Sequence, residues 1–515
     1  MSIAVVGAGP VGLTLGLRLA QFGVPVTVLE RSERLRGEGS KALCMQRETL
    51  ESWDLLGLGR QVAERGVGWQ LARTYFRETE LFQTQLPATD EFFPPFVNIS
   101  QTDVERLLVD AVEREPLVTV HWGHSLTALE QDDDEVRLTS RSGTDDVVTT
   151  AAYAVGADGA RSVVRRLCGI DFPGHSHDDQ FLIADIRARL PFPAERRFWF
   201  DPPWNPGRTV LIHPQPDDVW RIDWQVPPEF DLAVERASGR LDERIRKIVG
   251  TAAYEPVWVT LYRFHQRMAA RFRQRRVLLA GDAAHLMSPF GARGMNSGVA
   301  DAMNLAWRLA AALDRLGTPG DSPDGHAVDD TDGHADLLDG YAAEREFAAR
   351  ENLAVTDATM RFMVPETEAE RRDRDAILIA SVEDLEARAK VNSGRLAVPT
   401  VYPVSGSDEF AGRMLPDAPV EPVRGTGARR LRELSGPDEL RLHVWCAPAP
   451  APAVGRRVAL VRTVQVIAAE DTVPSGEHAV VRDVQGRVGE RLGTAACVFT
   501  VRPDCYVRQT FRYGE

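Results

Sequence analysis

Lysine is nearly missing from this chain: Lys41, Lys247 and Lys390 are the only three among 61 basic residues. With the abundant alanine, that skew reads as a bias of genome composition and points to no mechanism. Positive charge is also in deficit, the formal net charge being −14. A nucleic-acid or anionic-membrane partner is therefore not expected, because either needs a basic surface to displace counterions. Cysteine is scarce too: Cys44, Cys168, Cys446, Cys497 and Cys505 are scattered, odd in number and form no C-x-x-C pair. A reducing compartment suits such a set. No stretch approaches the roughly 18 to 20 uninterrupted apolar residues of a membrane span. Neither a basic segment nor a cleavage site precedes the strand-like Ile3-Ala4-Val5-Val6, so a signal peptide is not expected. What remains is 515 residues with 43% hydrophobic and 26% charged side chains, the balance of a soluble, cytoplasmic, globular chain. That length leaves room for about three domains.

The first forty residues read strand, glycine turn, helix, strand. Ile3 to Val6 is a buried parallel-strand run and Leu13 to Phe22 is apolar at helical spacing, with Gly23 as a stop. Val26 to Leu29 forms a second buried strand with Glu30 at its end. Residues 100 to 115 carry an amphipathic helix, and strand-like pieces follow at 117–122, 126–130 and 135–140, broken by an acidic run expected to be a solvated turn. From about 180 to 263 the pattern is short strands, proline-rich turns and clustered aromatics. Val277 to Leu279 is another buried strand, and a long helix is expected from Gly294 to Leu316. Residues 317 to 335 are acidic, glycine- and proline-rich and aperiodic, which predicts a surface loop. Helical material resumes from 336 to about 390, and the linker-like Ala447 to Pro452 lies inside a last, compact region.

Chemistry shows first in Gly7-Ala8-Gly9-Pro10-Val11-Gly12. Gly7 permits the tight turn, Gly9 lets the backbone approach a pyrophosphate, and Gly12 lets the helix pack close to the strand. The helix N-terminus then offers N–H groups and positive dipole to the phosphates. Glu30 stands where a carboxylate would bind an adenosine ribose. This motif alone does not separate NAD from FAD. Two more segments do: Val155 to Arg165, a strand ending in Asp158-Gly159, and Leu279 to His285, a strand ending in Gly281-Asp282. The second continues through Pro289 and Gly291-Ala292-Arg293-Gly294-Met295-Asn296 into a further helix. Taken alone, each Asp is as readily an ordinary cap on the following turn or helix. Together, in this order, the three segments are specific.

These motifs resemble the single-component flavoprotein aromatic hydroxylases, the p-hydroxybenzoate hydroxylase and phenol hydroxylase family, over residues 1 to about 390. Within that family the chain is similar to the 3-(3-hydroxyphenyl)propionate hydroxylase-like branch and related polyketide-tailoring oxygenases, which also carry a C-terminal thioredoxin-like domain. Val501 to Val507 resembles its closing strand motif, and without C-x-x-C that domain is expected to be structural. The resemblance implies an α/β fold in which a Rossmann-like FAD-binding domain (1–175 and 264–390) is interleaved with a β-sheet substrate domain (176–263), followed by the thioredoxin-like domain (395–515). It implies that Gly7, Gly9 and Gly12 hold the FAD pyrophosphate, and Glu30 with Arg31 the adenosine side. Asp282 would take the ribityl region, Asp158 the cofactor and the approach of the nicotinamide, and Gln101 the flavin linker. Pro289, Gly294, Met295 and Asn296 would flank the isoalloxazine, where a helix start favours negative charge on the reduced ring. Two departures stand out: Lys41 occupies a place where Arg is usual, and Arg293 replaces the middle residue of a customary G-Q-G turn.

The implied activity is an NADPH- or NADH-consuming, O2-dependent monooxygenase. It would hydroxylate a phenolic or other aromatic, including polyketide, substrate through a flavin C4a-hydroperoxide. The protein's part would be positioning and exclusion of water. Baeyer–Villiger oxygenation of a polyketide on the same scaffold, or a non-catalytic flavin-binding module, are the alternatives. A flavin-dependent halogenase fails on the spacing of Trp220-Arg221-Ile222-Asp223-Trp224-Gln225-Val226-Pro227. No metal is expected, since His175-Ser176-His177 lacks a third ligand. The partner is a small aromatic molecule, and a homodimer is compatible with the sequence. Substrate contacts are expected among Phe198, Trp199, Phe200, Trp204, Trp220 and Trp224, though each serves as readily in core packing. His213 and His265 are candidates for deprotonating a phenol and equally for structural histidines.

Overall fold

The computed structural model describes residues 1–35, 37, 42–86, 92–317, 331–404, 408–445, 461–474 and 478–512. Lys41, Cys446 and the Ala447 to Pro452 segment lie outside the described residues. The chain divides into two compact units, Met1–Ala397 and Val398–Glu515.

The first unit is built on a six-stranded sheet in the order Arg273–Gln274, Val277–Leu279, Tyr153–Gly156, Ile3–Val6, Val26–Glu30 and Val118–Trp122. All neighbours are parallel except the first pair. In register, Val5 lies beside both Val28 and Val155. Ile3, Val5, Val28, Val155 and Leu279 are fully buried, as a parallel sheet covered on both faces requires. The helix Pro10–Gln21 starts with proline at its first turn, where the missing N–H costs nothing. The acidic run forms the exposed turn between His124–Gln131 and Val136–Ser142, with Asp132 accepting from the Asp134 and Glu135 amides at 2.9 Å each.

An eight-stranded sheet follows, ordered His285–Leu286, Tyr254–Met268, Gly174–Ala188, Val219–Val226, Thr209–Pro214, Arg196–Phe200, Leu71–Phe76 and Thr79–Gln85. Its last two strands come from early in the chain, Leu71–Phe76 pairing parallel to Arg196–Phe200. Where short strands were expected, Gly174–Ala188 and Tyr254–Met268 run for 15 residues each. Their shared ladder shifts register between Ser176 and Gln180 and between Asp185 and Ile186, and such bulges let a long strand bend around a core.

Strand alternation gives this sheet two unlike faces. Leu182, Ala184, Ile186, Val210, Ile212, Trp220, Ile222 and Trp224 form an apolar layer with Leu241, Ile245 and Val249 of the helix Arg240–Val249. The opposite face carries Phe181, Phe198 and Phe200, which pack with Phe264, Phe290, Met360 and Met363, together with a strip of buried polar groups. Trp220 and Trp224, expected near substrate, thus belong to the helix-covered core.

The long helix runs Gly294–Gly317, and Thr331–Met363, Glu368–Ala380 and Leu385–Lys390 supply the remaining helical material. Helix therefore begins at Thr331, inside the stretch expected to be loop. Thr331 and Asp332 suit a helix start, where the dipole favours acid, and the aperiodic composition upstream hid that signal. Residues 318–330 lie outside the described residues.

The second unit holds its own mixed sheet, ordered Glu421–Arg424, Ala479–Asp483, Val461–Ala468, Glu439–Val444, Cys497–Val501 and Val507–Arg512. Ala479–Asp483, Val461–Ala468 and Glu439–Val444 run parallel, and Glu421–Arg424 on one side with Cys497–Val501 and Val507–Arg512 on the other are antiparallel additions. Leu440, Leu442, Val464, Val466, Val481 and Phe499 fill its core. Cys497 and Cys505 are buried.

Candidate active site

Four of the expected cofactor residues stand at the carboxyl ends of adjacent parallel strands. Gly7 follows Ile3–Val6, Glu30 ends Val26–Glu30, Asp158 follows Tyr153–Gly156, and Asp282 follows Val277–Leu279. In open parallel sheets this edge is where a nucleotide binds. Gly7 has φ +111°, and a Cβ there would meet the Ala157 carbonyl oxygen at 2.4 Å, so the loop turns directly against the Asp158 segment. A Cβ on Gly12 would lie 2.0 Å from the Gly7 carbonyl oxygen. At Gly9, by contrast, nothing lies within 4 Å of the added atom. That open space at a helix N-terminus is a cradle a phosphate would occupy.

Glu30 is tied at both oxygens, accepting from the Ala8 amide and the Ser32 amide at 2.9 Å each. The loop and the ribose-side carboxylate are thereby held as one piece. Arg31 is exposed beside it. Asp158 Oδ2 accepts from the Val163 and Val164 amides at 2.6 and 3.1 Å, which makes it a cap on the helix Val163–Leu167. Its Oδ1 is buried and has no partner, an acceptor left over for a donor outside the protein. Asp282 is exposed on the short turn Gly281–Ala283.

Close packing ties the third segment to the first. Added Cβ atoms on Gly281 and Gly298 would each come within 3 Å of the Val11 side chain. Arg165 donates to the Ala283 carbonyl at 2.8 Å and to the Ala160 carbonyl at 3.0 Å, joining the two Asp-bearing segments. Sequence reasoning missed the group that fixes the Gly281 turn. Asp301, fully buried, accepts from the Gly281 amide and His285 Nε2 at 2.8 Å each and from Arg345 Nε at 2.6 Å. Burial alone would raise this carboxyl, but the charges of His285 and Arg345 hold it below the ordinary range. The available signal was a lone acid in the apolar run Gly298-Val299-Ala300-Asp301-Ala302-Met303.

Gln101 opens the helix Gln101–Val112 and accepts from the Ala42 amide at 3.1 Å while donating to Glu105 at 2.8 Å. Asn296 is buried and fully engaged. It accepts from the Gln46 amide (3.2 Å) and Thr49 Oγ1 (2.7 Å), and donates to the Cys44 (3.0 Å) and Ala292 (2.6 Å) carbonyls. Its side chain pins the strand Cys44–Gln46 against the helix that Gly294 begins. Met295 is partly buried against the main core and Pro289 is exposed. The next residue, Phe290, is buried 5.5 to 6.2 Å from the rings of Phe181, Phe264 and Phe198, which anchors this loop on the eight-stranded sheet. Arg293 turns inward, donating to the Arg395 carbonyl at 2.6 Å, and burial with the like charge of Arg395 pulls its guanidinium down to about 10.

Beneath the Ala292 turn, the open face of the sheet carries a polar cluster. Cys44 Sγ, Trp69 Nε1 and the Pro214 carbonyl all bond to the Asn98 amide, each at 2.8 Å. Trp69 stacks on Phe96 at 5.1 Å. His213, Arg196, Arg221 and Asp185 are buried, and Arg221 grips Asp185 through two hydrogen bonds of 2.8 and 2.7 Å. Burial and the charges of Arg196 and Arg221 hold His213 well below its usual value, so it is neutral, with Nδ1 lacking a partner. Burial raises Asp223 to about 7 against the pull of Arg221, and its Oδ1 is also without a partner. His265, the other histidine considered, bonds Ser176 Oγ at 2.7 Å.

A cavity of about 790 Å³ opens at the strand bend around His175 and His177, bordered by Arg208, Gln225, Asp357 and Arg374. Its walls are polar and carry both signs of charge, a poor seat for an aromatic ring. Among the described residues no group of three His, Cys, Asp or Glu side chains could hold a metal ion. Nor is any helix among them long and apolar enough to cross a membrane.

Comparison with known proteins agrees with this geometry. The family described as FAD binding domain matches residues 1–355. The chain is 31% identical over 383 residues to the 3-(3-hydroxy-phenyl)propionate/3-hydroxycinnamic acid hydroxylase of Comamonas testosteroni, a match covering 73% of this chain and 61% of that one. It is 30% identical over 439 residues to the anhydrotetracycline monooxygenase of Streptomyces rimosus, covering 82% of each. The crystal structure of OxyS, anhydrotetracycline hydroxylase from the same species, superposes with a TM-score of 0.70 at 27% identity, covering 99% of this chain and 95% of that one. The chain therefore belongs to the FAD-binding family of flavoprotein monooxygenases.

Proposed function

We propose that this protein is an NAD(P)H-consuming monooxygenase that hydroxylates a phenolic or polyketide-derived aromatic ring, acting in the cytoplasm. FAD, when bound, supplies acceptance of hydride and activation of O2 for transfer of one oxygen atom. Gly7, Gly9, Gly12 and Glu30 would hold its nucleotide half, with Asp158, Asp282 and Gln101 beside the linker. The observation that carries this reading is the meeting of two regions. The Gly291 to Asn296 turn, which the resemblance puts at the isoalloxazine, packs with Trp69, Ala72 and Phe96 against the polar face of the second sheet. A ring bound there would sit between flavin and sheet, shielded from water by Trp69, Phe96 and Leu396. Phe198 and Phe200 line the same sheet face farther along. Anhydrotetracycline monooxygenase, matched over 82% of its length, supports a polycyclic substrate over a single ring. The parallel core of Glu439–Val444, Val461–Ala468 and Ala479–Asp483 with two antiparallel strands suits a thioredoxin-like second unit, whose two buried thiols favour a structural role.

The test is an absorbance spectrum of the purified protein, followed by NADPH and NADH oxidation with and without a panel of phenols and anthraquinone or naphthacene polyketides. Flavin bands and oxidation accelerated by one class, with a product heavier by one oxygen, are expected. A protein that FAD cannot reconstitute would overturn the proposal. Flavin indifferent to every compound would leave a non-catalytic flavoprotein, and a lactone product would make the reaction Baeyer–Villiger.

A further inference from the structure

The polar face of the eight-stranded sheet is electrically unbalanced. Three buried guanidiniums of this unit stand against carboxylates: Arg221 against Asp185 at 2.7 Å, Arg345 against Asp301 at 2.6 Å, Arg308 against Glu344 at 2.9 Å. Arg196, only 4% exposed, has no such partner among the described residues. Its Nη2 donates to the Ser393 carbonyl at 2.6 Å, and its guanidinium lies 5.1 Å from the centre of the Phe198 ring. Nearby groups cannot supply the missing charge. Cys44 is the one group acting against the cost of Arg196's burial, but burial pushes that thiol up to about 12, so it stays neutral. His213 faces Arg196 and is neutral as well. Asp223 answers to Arg221 and to Asp185. A buried cation left without a counter-charge is costly, and an anion arriving from outside would relieve that cost.

Its location fits that role. Arg196 pairs in register with Ala72, which clusters with Trp69, Phe96, Cys44, Ala292 and Leu396. The cation thus sits where the sheet meets the Ala292 turn, beside aromatic walls suited to a planar ring. Guanidinium is also the group best shaped to grip a planar oxyanion through two parallel hydrogen bonds.

Resting on the hydroxylase reading above, we propose that Arg196 is the counter-charge for an oxyanion of the bound ring substrate, either a carboxylate or an ionised phenol or enol. The enzyme therefore selects acidic aromatic compounds over their neutral isosteres.

The experiment titrates two probe pairs into the FAD-loaded protein, reading tryptophan fluorescence and flavin absorbance. One pair is anthraquinone-2-carboxylate and its carboxamide. The other is 2-hydroxyanthraquinone and 2-methoxyanthraquinone, each at pH 6 and pH 9. At least one anionic probe is expected to bind tenfold or more tightly than its neutral partner, and the pair that does so identifies the oxyanion. In Arg196→Met that preference should vanish while the neutral probe keeps its affinity. Arg196→Lys should keep the charge, lose the fork, and retain part of the preference. Equal binding within both pairs, no binding of either anion, or a preference that survives in Arg196→Met would each overturn the proposal. Should Arg196→Met not fold, the native protein and Arg196→Lys decide alone. Flavin content and substrate-stimulated NADPH oxidation, read on the same preparation, report separately on the hydroxylase reading.

Discussion

At Gly12 an added Cβ would stand 2.0 Å from the Gly7 carbonyl oxygen, whereas at Gly9 it would meet nothing within 4 Å. One methyl group should therefore separate folding from cofactor binding. Gly12→Ala forces backbone apart and is expected to cost about 1–3 kcal/mol of stability. Gly9→Ala should leave the stability of the cofactor-free protein within about 0.5 kcal/mol of native, yet weaken FAD at least about tenfold, since the methyl intrudes where phosphate approaches. Thermal melts with and without FAD read both. Asp223 offers a second test at this scale. Its carboxyl is raised from an unfolded value of 3.8 to about 7, so its contribution to stability is full below pH 3.8 and is lost as pH rises through 7. Asp223→Asn, which cannot ionise, should match native near pH 4. Above pH 7 it should exceed native by roughly 1–3 kcal/mol in urea unfolding. A constant difference across pH would show that the charge of Asp223 is not what burial penalises.

At the scale of elements, the Gly294–Gly317 helix does more than follow the Ala292 turn. Through Asp301 it holds the Gly281 amide, His285 and, on the helix Thr331–Met363, Arg345. Removing the carboxylate leaves Arg345 buried without its partner, so Asp301→Ala is expected to cost about 3–5 kcal/mol and to loosen the Asp282 turn. FAD should dissociate faster than from Asp301→Asn, which keeps one acceptor for Gly281. Because the folded carboxyl is held below its ordinary value, its stabilisation is present above the unfolded value of 3.8 and is lost as pH falls through the folded one. Native protein should therefore lose FAD on acidification more steeply than Asp301→Asn, measured by released flavin fluorescence.

For the whole molecule, each unit has its own sheet and its own buried core. Every described residue of the proposed FAD cradle and of the polar face lies before Val398. A chain ending at Ala397 is accordingly expected to fold and bind FAD stoichiometrically, checked by its absorbance spectrum after gel filtration. Replacing Cys497 and Cys505 together by alanine should leave NADPH oxidation unchanged, because neither thiol is exposed to exchange. Loss of turnover in that double variant would assign the second unit a redox part.

Local pattern made the strand ends legible. Glycine spacing, strand-ending acids and 3.6-residue periodicity are all short-range signals, and they located Gly7, Gly9, Gly12, Glu30, Asp158 and Asp282 at strand ends that prove adjacent. The same signals found the long helix at Gly294, and the resemblance those motifs carry implied aromatic ring chemistry. Tertiary structure decided what depends on distant partners. Alternation along four strands put Trp220 and Trp224 under a helix and Arg196 on the opposite face, a sorting no single strand reveals. Asn296 proved to be a clamp on Cys44 and Gln46, some 250 positions away. Asp301 and Arg345 became one ion pair only when two helices met. Which charges are matched is a property of packing, because a charge acquires its energy from what surrounds it and not from its neighbours in the chain.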